Sequence, residues 1–206
     1  SEKEKKYGES ILDRMPIPKN RKIVSIFSRD SSYLSKKYPK EDWTYHSYRD
    51  SNIETYVKAI KYLISKNYVV LRIGSEYSDK LDFDHENYFE YSLSEFKSNF
   101  MDLYVSYISE FIIGTRSGAT DISILFNTPL LDINSAPLML SPVGMNNIFI
   151  QKKLVNLSGE IIPYKDIISD SRYYLFDGNK LENTFGIKYL DNTSEEIVDA
   201  KNGGNE

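Results

Sequence analysis

Two hydrophobic patterns alternate along the chain. Short, mainly apolar blocks occur at Lys22–Phe27 (KIVSIF), Tyr68–Ile73 (YVVLRI), Phe111–Ile113 and Leu130–Ile133, and each reads as a buried strand. Between them, apolar residues recur every three or four positions. Ile53, Tyr56, Val57, Ile60, Leu63 and Ile64 form one such stripe, with Lys58 and Lys61 on the other side. Ser51 and Glu54 stand at capping-box spacing before it, and Asn67 follows it as a stop. Ser92 and Glu95 repeat that spacing and predict a helix to about Tyr107, with Phe96, Phe100, Leu103, Tyr104 and Tyr107 inward. A further helix is predicted over Gly118–Phe126, and Tyr88–Tyr91 reads as a short strand of the same sheet.

The remaining stretches are less regular. Residues 2–15 predict a charged helix with a thin apolar edge at Tyr7, Ile11 and Met15, closed by the linker Pro16-Ile17-Pro18. Residues 1–20 are therefore set apart from a domain spanning 21–200, and 201–206 (KNGGNE) read as a disordered tail. Pro39–Asp50 is aromatic and polar without a period, which predicts an irregular surface loop. Beyond Asn134 the pattern weakens. A loop over 135–147 is followed by short extended pieces at 147–157, 161–162 and 173–176, then a helical turn or two at 195–200.

Strands that alternate with helices at these lengths predict βαβ units and a parallel, Rossmann-like α/β sheet flanked by helices. In such a sheet the loops at the carboxyl ends of the strands share one rim. Here those loops carry Arg29 and Asp30, then Arg72, Gly74 and Ser75, then Arg116, Ser117 and Gly118. Guanidinium groups bind phosphate oxygens bidentately, and free N–H groups at a helix start favour an anion, so a diphosphate site is expected there. Each arginine also has an ordinary alternative in a surface ion pair, and Arg72, inside its strand, could answer a structural carboxylate. The turn Gly114-Thr115-Arg116-Ser117-Gly118 is neither a Walker loop nor GxGxxG, and Ser117 capping a helix would suffice to explain it.

Composition narrows the function. The 206 residues carry a net charge of −4, so no broad basic field exists for nucleic acid. With no cysteine, disulfides and thiolate metal sites are excluded. Two histidines are too few for a histidine-rich metal centre, and no apolar run reaches the roughly 20 residues of a membrane span. His46, beside Tyr45 and Arg49, is the candidate histidine base, with a plain surface histidine as the alternative. Asp30, Glu54 and Asp121 are carboxylates near the rim, and Asp121 also suits a first helical turn. Asp82-Phe83-Asp84 matches the Asp-x-Asp metal pattern, but no buried strand precedes it and no further oxygen ligands stand nearby.

The ordered set IFSRDSSYL (26–34), HSYRDSNIETYVKAI (46–60), YVVLRIGS (68–75), FMDLYVSYISEFIIGTRSG (100–118), FNTPLLDIN (126–134) and DNTSEEIVDA (191–200) resembles a family of bacterial putative glycosyltransferases with the GT-B fold. More distantly, the Arg29 loop and the turn before Gly118 are similar to motifs of fucosyltransferase-like enzymes. The resemblance implies the nucleotide-sugar-binding half of such an enzyme, with Arg29, Ser117 and the backbone at Gly118 as donor ligands. It also implies metal-independent catalysis, a glycan or glycoconjugate acceptor, an upstream acceptor domain, and surface-polysaccharide assembly in the cytoplasm or at the inner membrane face. Related enzymes often carry histidine two residues before the loop arginine, where this chain has Phe27. Two other readings stay open: a non-catalytic nucleotide-sugar-binding module, and a nucleotide-sugar hydrolase or epimerase. The chain begins without Met on a charged helix, which reads as a piece of something longer.

Overall fold

The computed structural model describes residues 1–74, 80–140 and 146–201. In chain order its elements are α1 (Glu2–Leu12), β1 (Ile23–Phe27), α2 (Ser32–Lys37), α3 (Val57–Ser65), β2 (Val69–Arg72), β3 (Tyr88–Phe89), α4 (Asn99–Ile108), β4 (Ile112–Gly114), α5 (Gly118–Phe126) and β5 (Leu130–Ser135). There follow β6 (Asn147–Gln151), β7 (Lys153–Val155), α6 (Tyr164–Ser169), α7 (Gly178–Phe185), β8 (Lys188–Leu190) and α8 (Ser194–Lys201). Six strands form one parallel sheet in the order β3-β2-β1-β4-β5-β6, the order of a doubly wound Rossmann-like fold. β7 and β8 make a separate antiparallel pair.

These strands are mainly apolar because both sheet faces are covered. Val24, Ile26, Val70, Ile113, Leu131 and Ile133 face the side packed by Tyr56, Ile60 and Leu63 and by Ile197 of α8. Ile23, Phe27, Val69, Leu71, Ile112 and Leu130 face α4 through Met101, Tyr104 and Val105. This second side also takes in Met15 and Ile17, so the stretch read as a linker is packed against the sheet. α1 approaches α4 closely at the buried Gly8, where a Cβ would stand 2.5 Å from the Tyr104 ring.

Several local expectations are corrected. Asn52, not Ser51, caps the turn before α3: a short 3-10 segment spans Ile53–Tyr56, and the Asn52 side chain accepts from the Glu54 amide. Ser51 is buried and spends its hydroxyl on tertiary bonds instead. α4 starts at Asn99 under an Ser98 cap, not at Ser92, because Ser92 lies in a separate buried 3-10 turn. The side of the helix packed on the sheet also differs: Met101, Tyr104 and Val105 are buried, while Leu103 and Tyr107 are exposed. The stretch expected to be irregular holds a 3-10 helix at Thr44–Arg49, and residues 171–174 are 3-10 rather than extended. On α5 the residues facing the sheet are Thr120 and Ser123, and Ile124 and Leu125 are exposed.

Candidate nucleotide-diphosphate site

β1 lies between β2 and β4, so the chain leaves β1 towards one neighbour and later returns on its other side. The loops after β1 and β4 therefore part at this point and leave a crevice at the carboxyl edge of the sheet. A cavity of about 470 Å³ occupies it, within the range usual for small-molecule sites. Phe27, Ser28, Arg29 and Asp30 line it from the first loop, Ile73 and Gly74 from the second, and Ser117, Gly118, Ala119 and Ile122 from α5. Gly74 has φ of 141°, a conformation that side chains resist, so glycine lets the second loop turn along the cavity wall.

The α5 start is organised by a reciprocal cap. The Ser117 hydroxyl accepts from the Ala119 amide at 3.1 Å, and the Thr120 hydroxyl accepts from the Ser117 amide at 2.8 Å. The Ser117 carbonyl takes the Thr120 amide at 3.0 Å. Beneath the turn, the fully buried Asp132 accepts the Arg116 amide at 3.0 Å. Burial pushes the Asp132 carboxyl up to about 6, against the bonds to Ser135 and Arg116 that pull it down. Within the first turn the Gly118 amide thus remains for a ligand, and a Cβ placed on Gly118 would meet nothing within 4 Å.

Arg29 is the cation of the first loop. Its guanidinium, 11% exposed, is ion-paired with Asp50 and donates to the His46 carbonyl at 3.4 Å. Burial pushes the Asp50 carboxyl up and Arg29 pulls it back down, so the pair holds one oriented cation at the cavity. Asp50 sits in a segment latched on both sides. The buried Lys152 ammonium donates to the Asp50 carbonyl at 2.5 Å and pairs with Asp191 at 2.7 Å. The Ser51 and Thr115 hydroxyls meet at 2.7 Å, with the Tyr56 hydroxyl 3.1 Å from each. Burial raises the Tyr56 phenol to about 12, which keeps it protonated as a member of this bridge.

The other expected ligands are distributed differently. Arg72 is 2% exposed and pairs with Glu90 at 3.2 Å on the α3 side of the sheet, so it is not at the rim. Side chains alternate along a strand, and Arg72 follows Val70, whereas the cavity-lining Ile73 follows Leu71. Arg116 is committed to Asp121 at 3.3 Å and to the Leu140 carbonyl, and does not line the cavity. Asp30 lines it, but its carboxylate is bonded to the Ser32 amide at 2.8 Å, and an ionised carboxylate offers no donor to phosphate. His46 does not line the cavity either: its ring lies against Tyr45, with centroids 4.1 Å apart. Burial, then Arg49 and Arg29, lowers its pKa and holds the imidazole neutral. Glu54 is exposed. Ser75 lies outside the described residues, as do 202–206 of the expected tail.

The structure adds groups that sequence reasoning passed over. Arg49 lines the cavity and donates to the Arg116 carbonyl at 3.2 Å, so it takes the place expected of Arg72 and Arg116. Its signal was a basic residue just before the turn into the 53–64 helix. Asp102 and Ser106 of α4 also face the cavity, four residues apart on one side of the helix. Their spacing is legible in the sequence, but the inward face expected for this helix does not include them. Among the described residues, no group of three or more His, Asp or Glu side chains is placed to hold a metal, and no helix is long and apolar enough to cross a membrane. No family model, curated protein or solved structure matches this chain.

Proposed function

We propose that this chain is the donor-binding half of a glycosyltransferase, taking a nucleotide-diphosphate sugar in the crevice between β1 and β4. One observation carries the reading: the oriented Arg29, the added Arg49 and the first turn of α5 all border a single cavity at the switch point of the sheet. A diphosphate offers oxygens to both guanidinium groups and to the Gly118 amide. As the acceptor hydroxyl oxygen bonds to the anomeric carbon and gives up its proton to a base, the C–O bond to the diphosphate breaks and the leaving phosphate oxygen takes the electron pair. Arg29, fixed beforehand by Asp50, stabilises that charge without having to reorganise. The Asp30 carboxylate suits a sugar or ribose hydroxyl, which donates to it, whereas Asp102 is already paired with Lys97 at 2.7 Å. The acceptor is a glycan or glycoconjugate of the bacterial surface.

Calorimetric titration with GDP, UDP, CDP and CMP tests this. One diphosphate should bind selectively, and Arg49→Ala should weaken it about tenfold or more through loss of a charged hydrogen bond. A folded chain that binds none of the four would refute the reading.

A further inference from the structure

The segment between α2 and the 3-10 helix at Thr44–Arg49 holds aromatic rings that the fold does not use. Tyr38, Trp43 and Tyr45 belong to none of the three buried clusters, and Trp43 is the only tryptophan in the chain. Such rings normally supply core area. Here they pack on one another beside the cavity. Trp43 lies nearly parallel to His46 (16°) and to Tyr45 (23°), each at 6.2 Å between centroids. Tyr38 tilts against Trp43 at 5.9 Å.

Hydrogen bonds hold this shelf in place. The Trp43 indole donates to the Tyr38 carbonyl at 3.4 Å, the Thr44 amide donates to Asp42 at 2.9 Å, and Asn179 of α7 donates to the Thr44 hydroxyl at 2.9 Å. It is also continuous with the cavity. The His46 carbonyl accepts from Arg29, and Lys37 spans from Tyr38 to the cavity-lining Tyr33. A preorganised group of rings with hydroxyls and a carboxylate at its edge suits a ring that has one face of C–H groups and a rim of hydroxyls. A pyranose has that form. A nucleobase is flat as well, but the cavity already has apolar walls in Phe27, Leu34, Ile73 and Ile122 to take it.

We infer that the shelf of Trp43, Tyr45 and His46 is a saccharide subsite, where an acceptor sugar stacks at the mouth of the cavity. Its role as an acceptor subsite rests on the cavity holding a nucleotide sugar.

The lone Trp43 makes the test direct, because tryptophan emission reports only on the shelf. The whole chain is titrated with methyl pyranosides and short oligosaccharides, then with uridine and guanosine, while diphosphate binding is followed separately by calorimetry. At least one saccharide should change the emission saturably. Tyr45→Ala should weaken that saccharide about tenfold, Tyr45→Phe should restore it, and both should leave the diphosphate Kd within about twofold. A chain that binds a diphosphate but shows no emission change with any saccharide overturns the inference. So does a response to nucleosides alone. A saccharide response without any diphosphate binding retires the cavity reading and, with it, the acceptor role.

Discussion

Gly118→Pro isolates a single backbone amide. Gly118 is the first residue of α5, behind the Ser117 cap. Proline is favoured at that position, since its missing N–H serves no bond within the helix and its fixed φ suits the first turn. Ser117 before it is already extended, at φ −162° and ψ 174°, as a residue preceding proline requires. A Cβ at 118 meets no atom within 4 Å outside the adjoining residues and the helix's own backbone. The fold should therefore be unharmed, with stability unchanged or raised by about 0.5 kcal/mol from a stiffer unfolded chain. Diphosphate binding should suffer, because one hydrogen bond to a charged oxygen is worth about 1.5–3 kcal/mol, or about 10- to 150-fold in Kd. Calorimetry with the preferred diphosphate, paired with a urea melt, reads both effects. Gly118→Ala keeps the amide and should bind normally. An unchanged Kd in the proline variant would refute the assignment of the α5 start to phosphate.

Three further outcomes follow from burial. Glu90→Gln removes the carboxylate that pairs with the buried Arg72 and also accepts from the Tyr88 hydroxyl at 2.7 Å, so stability should fall by about 3–5 kcal/mol in denaturant melts. A loss below about 1 kcal/mol would mean that the pair is not desolvated. Asp132 titrates higher folded than unfolded, so it holds a proton in the native state over a range where the unfolded chain has lost it. Its contribution to stability should fall by about 3 kcal/mol as pH rises from about 4 to about 6, then level off, and Asp132→Asn should lack that slope. Gly8→Ala places a methyl against the Tyr104 ring; the strain of about 1–3 kcal/mol should outweigh the gain of about 1 kcal/mol in helix propensity, visible as a lowered Tm.

The parallel sheet and the loops on its carboxyl edge are legible along the chain. Short apolar blocks such as Tyr68–Ile73 read as strands covered on both faces, and their alternation with amphipathic stripes predicts parallel crossovers. That placed Arg29, Ser117 and Gly118 on one edge, where the cavity lies. Even the exclusion of Arg72 was legible in principle, since it shares strand parity with Val70 rather than with Leu71. The helix starts were less legible, because capping-box spacing is local and cheap to satisfy elsewhere. Ser51 fits the pattern but is drawn into a bridge with Thr115, sixty-four residues on, and no local rule contains that partner.

Which cations face the cavity is set by the tertiary structure. Arg116 has a competing carboxylate at Asp121 and a carbonyl at Leu140, while Arg49 donates to the backbone of the turn after β4. A long charged side chain goes wherever the summed burial, pairing and hydrogen bonding are best, and those sums involve residues far apart in the chain. Strand and helix are set by periodicity, which neighbours along the chain carry. The direction of a guanidinium is set by contacts between segments, and it appears only once the segments have met.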